Sequence, residues 1–138
     1  MSNKISRSSL IEGPPLITAR AYHSSCVIQI NDKSVHCIVI GGTTQHEGHG
    51  SNSTEIFNFN DQKWVQGPTL PCGISSSACV AAPRLSNFAC ILVGGVREDR
   101  SSLQNVYGLS KNLSEWKILG TIEKGRHYQI LLPLDYTI

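Results

Sequence analysis

The chain matches itself at an offset of about 53 residues. Gly41-Gly42 returns as Gly94-Gly95 after 53 residues, Trp64 as Trp116 after 52, and Gly13-Pro14-Pro15-Leu16 as Gly67-Pro68-Thr69-Leu70 after 54. Cys26 and Cys79 stand 53 apart, as do Cys37 and Cys90, while Arg20 and Arg126 are two periods apart with Gly73 at the intermediate place. A single match of this kind is chance. Several that agree to within two residues make the chain a tandem of one structural unit, and the unit decides the fold before local propensity does.

Within a period the residues read as four short strands. In the first copy these are residues 22–30, 35–40, 54–59 and 63–66, separated by the turn Asn31-Asp32-Lys33-Ser34, a polar loop and the turn Asn60-Asp61-Gln62. The second copy repeats them as residues 76–82, 88–93, 103–109 and 115–119. β-Branched and aromatic runs punctuated by Gly, Asn and Asp are the signature of strands joined by tight turns. Leu103, Val106 and Tyr107 also sit at helical spacing, but Gly108 and the match to residues 54–59 favour a strand there. Residues 88–93 (FACILV) are apolar on both faces, which a strand tolerates only where sheets stack face to face. A four-stranded unit of this size cannot cover both of its faces alone. It must stack on copies of itself, and radial stacking makes a propeller.

Composition removes several alternatives. The chain is 40% hydrophobic and 16% charged, so it is neither a charge-rich disordered segment nor a coiled coil. A net charge of +2, with no block of like charge, is too small a bias for a nucleic-acid stripe. The longest apolar run is six residues against the roughly 18 a membrane helix needs. Residues 1–7 lead into no apolar stretch, so no signal peptide is expected and the compartment expected is cytoplasmic. The sequons at Asn52 and Asn112 keep an extracellular parent chain open.

Gly-Gly closing one strand, an aromatic in the next and Trp shortly after it resemble the kelch motif. Here these are Gly41, Gly42, Phe57 and Trp64, then Gly94, Gly95, Tyr107 and Trp116. The family pattern also opens with Arg, matched by Arg20 and Arg126, and the resemblance spans residues 13–134. It implies an all-β chain, an incomplete kelch-type β-propeller of antiparallel four-stranded blades. The expected organisation is an N-terminal remnant of a preceding blade (1–12), repeat one (13–66), repeat two (67–119) and the first strand of a third repeat (120–138). The sequence departs from the pattern in three places. Gly73 stands where Arg is expected, the second aromatic-to-Trp spacing is nine rather than seven, and Leu10 takes the Trp place before Gly13. The longer spacing implies a longer third-to-fourth turn. Paired glycines and the edge Trp have structural roles, the first allowing positive φ and close backbone passage, the second filling the wedge between splayed sheets. Two and a half blades leave open edges and faces, so either a longer propeller or self-association is expected.

In such a blade the second-to-third and fourth-to-first loops emerge at one end, which places Arg20, His46, His49, Arg97, Arg100 and Arg126 together as candidate partner-binding residues. Kelch propellers commonly bind partner peptides on this face, so the resemblance suggests the arginines as carboxylate or phosphate clamps. His46-Glu47-Gly48-His49 lacks the helical spacing of a metalloprotease pair and a third ligand, so no metal or cofactor is assigned. With the first turn centred on Asn31-Asp32, Cys26 lies opposite Cys37; a shift of one residue puts it opposite Val39. Two cross-strand disulfides (Cys26–Cys37 and Cys79–Cys90) or buried thiols both fit, and buried thiols are favoured. Cys72, beside Pro71 and Gly73, is expected to be the exposed thiol. No catalytic set assembles from these residues, so the leading expectation is a protein-interaction module rather than an enzyme. A fragment of an enzyme propeller, oxidase or sugar-modifying, is the alternative, and a structural remnant without a partner is a third.

Overall fold

The computed structural model describes residues 11–48 and 50–127. All regular structure among them is strand, and no helix is long and apolar enough to cross a membrane. The first meander consists of β2 (Ser24–Asn31), β3 (Ser34–Ile40), β5 (Thr54–Asn58) and β6 (Lys63–Gln66), paired antiparallel in the order β2-β3-β5-β6. The second repeats it as β7 (Ala78–Ala81), β8 (Phe88–Val93), β9 (Asn105–Ser110) and β10 (Trp116–Thr121). A two-stranded ribbon of β1 (Arg20–Ala21) and β4 (Thr43–Thr44) ties the entry of the first meander to its diglycine exit. The segment at residues 103–109 is thus strand, from Asn105 onward, rather than helix. The first strand of each meander begins two residues later than the sequence suggests, because Tyr22 and Ser76 both take φ +54 and turn the chain. Residues 1–10 of the expected blade remnant (1–12) and residues 128–138 of the expected partial third repeat (120–138) lie outside the described residues.

The two sheets pack on each other with β2 against β7 and β8. Ile28, Ile38, Ile40 and Ile56 point from the first sheet into the contact, and Cys90, Leu92, Tyr107, Leu109 and Trp116 meet them from the second. Each aliphatic side chain buried there contributes about 1.5–3 kcal/mol. In β8 one face (Cys90, Leu92) is sealed and the other (Ile91, Val93) is half-buried. The apolar character of residues 88–93 on both sides is therefore satisfied fully on one side only among the described residues.

Ladder pairing refines the repeat. Ser24 matches Ala78, Ile38 matches Ile91 and Glu55 matches Tyr107, so the offset steps from 54 to 53 to 52. The second copy has lost one residue within its first hairpin and another in the loop after its diglycine. Two sequence-level alignments change as a result. Phe57 lies opposite Trp64 and Leu109 lies opposite Trp116, so Leu109 rather than Tyr107 holds the aromatic's place, and the spacing is seven in both copies with no longer turn. Ile74, not Gly73, is the counterpart of Arg126, because their carbonyls accept from Gly42 N–H and Gly95 N–H at 2.8 and 2.7 Å. Both Trp Nε1 groups donate to the proline of the preceding segment, Trp64 to Pro14 O at 3.0 Å and Trp116 to Pro68 O at 3.1 Å. Trp116 is buried and Trp64 half-buried. Trp116→Phe is expected to cost about 0.5–1.5 kcal/mol in urea denaturation by removing one of two hydrogen bonds to the Pro68 carbonyl, which keeps Thr54 Oγ1 as a donor at 2.8 Å, and Trp64→Phe less, since Pro14 is exposed to water.

Neither cross-strand cysteine pair forms. The turn sets Asn31 opposite Ser34, a register that would carry Cys26 opposite Val39, but a bulge between Gln29 and Asn31 steps the ladder by one and places Cys26 opposite Ile38. Cys26 and Cys37 consequently point to opposite faces. In the second hairpin Cys79 faces Leu92 and Ala81 faces Cys90. All five cysteines are free thiols.

Candidate functional site

The loops after the diglycines and the segments leading into each meander share one end of the molecule, as the up-and-down order requires. The glycines set this end. Gly41 (φ +60) and Gly42 (φ +93) thread between neighbouring backbones, where a Cβ would come within 2.2 Å of Ile74 O and 2.5 Å of Ala21 O. Hydrogen bonds then lace loop to loop, Ile74 N–H to Ser51 O at 3.0 Å and Leu70 N–H to Asn52 O at 2.8 Å. On this frame two closed turns stand side by side. Glu47 N–H donates to Thr44 Oγ1 at 3.0 Å in the first, and Arg100 N–H to Arg97 O at 2.9 Å in the second.

Between the turns lies an open groove of about 800 Å³, lined by His46, Glu47, Gly48, Gly50, Asn52, Cys72, Gly73, Arg97, Glu98 and Asp99. Three carboxylates face one guanidinium and one imidazole, so the described lining is acidic. The hydroxyl and amide of Ser101 donate to Asp99 and hold its carboxyl below the usual range, keeping it ionised.

Of the six candidate binding residues, His46 and Arg97 meet in this groove. Arg100, at φ +66, lines a separate hollow of about 430 Å³ with Tyr22, Thr43 and His127. Arg126 lies beside Glu123 and Lys124 in a third concavity. His49 falls outside the described residues. The Arg20 side chain is closed to solvent and lines none of these three concavities. It is 0% exposed and its Nη2 meets Glu55 Oε1 at 2.7 Å, while further donors reach Gly41 O at 2.7 Å and Ser53 Oγ at 3.0 Å. Glu55 in turn accepts from the amides of Ile17 and Thr18 at 2.7 and 3.0 Å. The arginine needs this partner because an unpaired charge cannot be buried. The missed residue is Glu55, and its trace in the sequence is a lone acid flanked by the β-branched Thr54 and Ile56 and followed by Phe57 in one strand. At the matching places of the second copy stand Ile74 and Tyr107, both in the apolar core.

Cys72, expected at the surface, is half-buried and its Sγ is 3.6 Å from Tyr107 Oη. Burial raises the Tyr107 phenol above its ordinary value. Cys26, Cys79 and Cys90 converge between the two sheets, their sulfurs all within 4.8 Å of one another. Hydrogen bonds from Cys79, then Cys90, favour the thiolate at Cys26 and lower its pKa, and the same sharing pushes Cys79 and Cys90 up.

Fold and site together define an all-β chain of two face-packed antiparallel meanders with an acidic groove on its loop end. Neither a family model nor a curated protein sequence matches it.

Proposed function

We propose that the two meanders are blades of a kelch-type propeller and that the chain acts as a protein-interaction module, docking a basic segment of a partner protein in the groove between residues 43–52 and 96–102. Support for the propeller reading comes from the duplicated register, the positive-φ diglycine at the same place in both copies and the repeated Trp-to-Pro bond. The sheets also lie beside each other with β2 and β7 in contact, and a concavity of about 790 Å³ opens between β6 and the β9–β10 turn, as in a wedge that widens outward. The function rests on the groove's charge. Glu47, Glu98 and Asp99 outweigh Arg97, which reverses the sequence-level expectation that arginine clamps would seize carboxylate or phosphate. Rigidly mounted loops of one sign attract a segment of the other.

Peptides selected from a random display library against the 138-residue chain should be rich in Lys and Arg, and their binding should weaken as salt rises. Replacing Glu47, Glu98 and Asp99 together with lysine should weaken binding at least tenfold. Asp32→Lys, in the turn at the opposite end, should leave it unchanged. Acidic selected peptides, or binding indifferent to the three carboxylates, would overturn the proposal.

A further inference from the structure

The three sulfurs between the sheets come from three different strands: Cys26 from β2, Cys79 from β7 and Cys90 from β8. Their meeting is not a by-product of the repeat. Ladder pairing matches Cys26 to Val80 and Cys79 to Ser25, so the two cysteines that stand 53 apart in sequence occupy different places in their meanders. Cys90 does have a counterpart, Cys37, but Cys37 pairs with Val27 on the other face of its sheet. Three non-equivalent positions therefore bring soft ligands to one point.

We propose that Cys26, Cys79 and Cys90 form a three-sulfur site for copper(I). Metal–sulfur bonds of about 2.3 Å arranged in a triangle place the sulfurs about 4.0 Å apart, and these lie within 4.8 Å of one another. Cys26 and Cys79, whose sulfurs are 3.0 Å apart, reach that separation by rotation of their side chains. Thiolates select soft cations such as copper(I) over magnesium, calcium or manganese. Among the described residues the metal-capable group comprises these three sulfurs and no fourth His, Cys or carboxylate, which suits a trigonal monovalent ion better than a tetrahedral zinc. Around it are the apolar residues of the core, with Cys90 fully buried and Cys26 and Cys79 half-buried, giving the ion a path of entry and a dry seat. A bond between Cys26 and Cys79 alone would leave Cys90 unexplained. On binding, each thiol that becomes a ligand releases its proton to solvent and no electron moves.

The test is an anaerobic titration of the reduced 138-residue chain with copper(I), supplied as its acetonitrile complex, against a chromophoric copper(I) chelator. One copper per chain is expected, with a sulfur-only first shell at about 2.3 Å by X-ray absorption and a rise in the melting temperature. Cys26→Ser and Cys79→Ser, at half-buried positions, should each lower the affinity at least a hundredfold while keeping the metal-free far-UV spectrum. Cys37→Ser and Cys72→Ser should bind as the parent does. Absence of binding, a first shell with nitrogen or oxygen, binding that follows Cys37 or Cys72, displacement of copper(I) by equimolar zinc, or a Cys26–Cys79 disulfide in the protein purified without reductant would each overturn the proposal.

Discussion

Glu55→Ala should destabilise the protein by about 3–5 kcal/mol, and Arg20→Ala by a similar amount, because each strands the other's charge in a site closed to water. The exposure of both side chains is 0%, so solvent cannot take over the lost partner's role. Glu55→Ala also removes the acceptor for two amides of the entry segment, Ile17 and Thr18, and should free residues 13–20 from the sheet, visible as fast amide exchange at those positions. The second meander suggests how the pair can be replaced, since Ile74 and Tyr107 occupy the equivalent places. The double variant Arg20→Ile/Glu55→Tyr should therefore lose less than the sum of the two single replacements, a coupling of about 1–3 kcal/mol read from a double-mutant cycle in urea. Strict additivity, or single losses below about 1 kcal/mol, would mean that the pair is not closed off as described.

The other large effect belongs to the diglycines. Gly41→Ala and Gly42→Ala should each cost at least about 3 kcal/mol, combining a left-handed φ with a Cβ driven into carbonyl oxygen. The contacts at 2.2 and 2.5 Å are with backbone, which cannot rotate aside. Gly95→Ala should behave alike, at φ +106 with Ile74 Cγ2 2.5 Å away. Two controls separate strain from crowding. Gly48 (φ +59) has nothing within 4 Å of its Cβ position, so Gly48→Ala should cost only about 1 kcal/mol. Gly13 has open space and no positive φ, and Gly13→Ala should fall within about 0.5 kcal/mol of the parent. Denaturation midpoints of the five variants order these terms directly, and equal losses in all of them would refute the close-passage account.

Much of this arrangement was legible in the residues. The period, the eight principal strands, the glycine exits and the end of the molecule that carries the loops follow from local spacing. Alternation and turn chemistry act within a few residues of each other. Aromatic similarity misled the alignment of the second copy, where Tyr107 looked like the partner of Phe57 although Leu109 takes that place opposite Trp116. The signal for Glu55 was present but mute, since a lone acid in a strand reads as solvent-facing until its arginine is found 35 residues away.

By itself, then, the sequence determined that the chain is a duplicated all-β meander, where each copy turns, and which glycines must stay small, because all of these are properties of short segments. Only the tertiary structure decided that Arg20 is sealed inside with Glu55, that the groove between residues 43–52 and 96–102 is acidic, and that Cys26 meets Cys79 and Cys90 instead of Cys37. The physical reason is the two-residue period of a strand. One bulge between Gln29 and Asn31 moves the register by a single step, and a single step carries a side chain from one face of the sheet to the other.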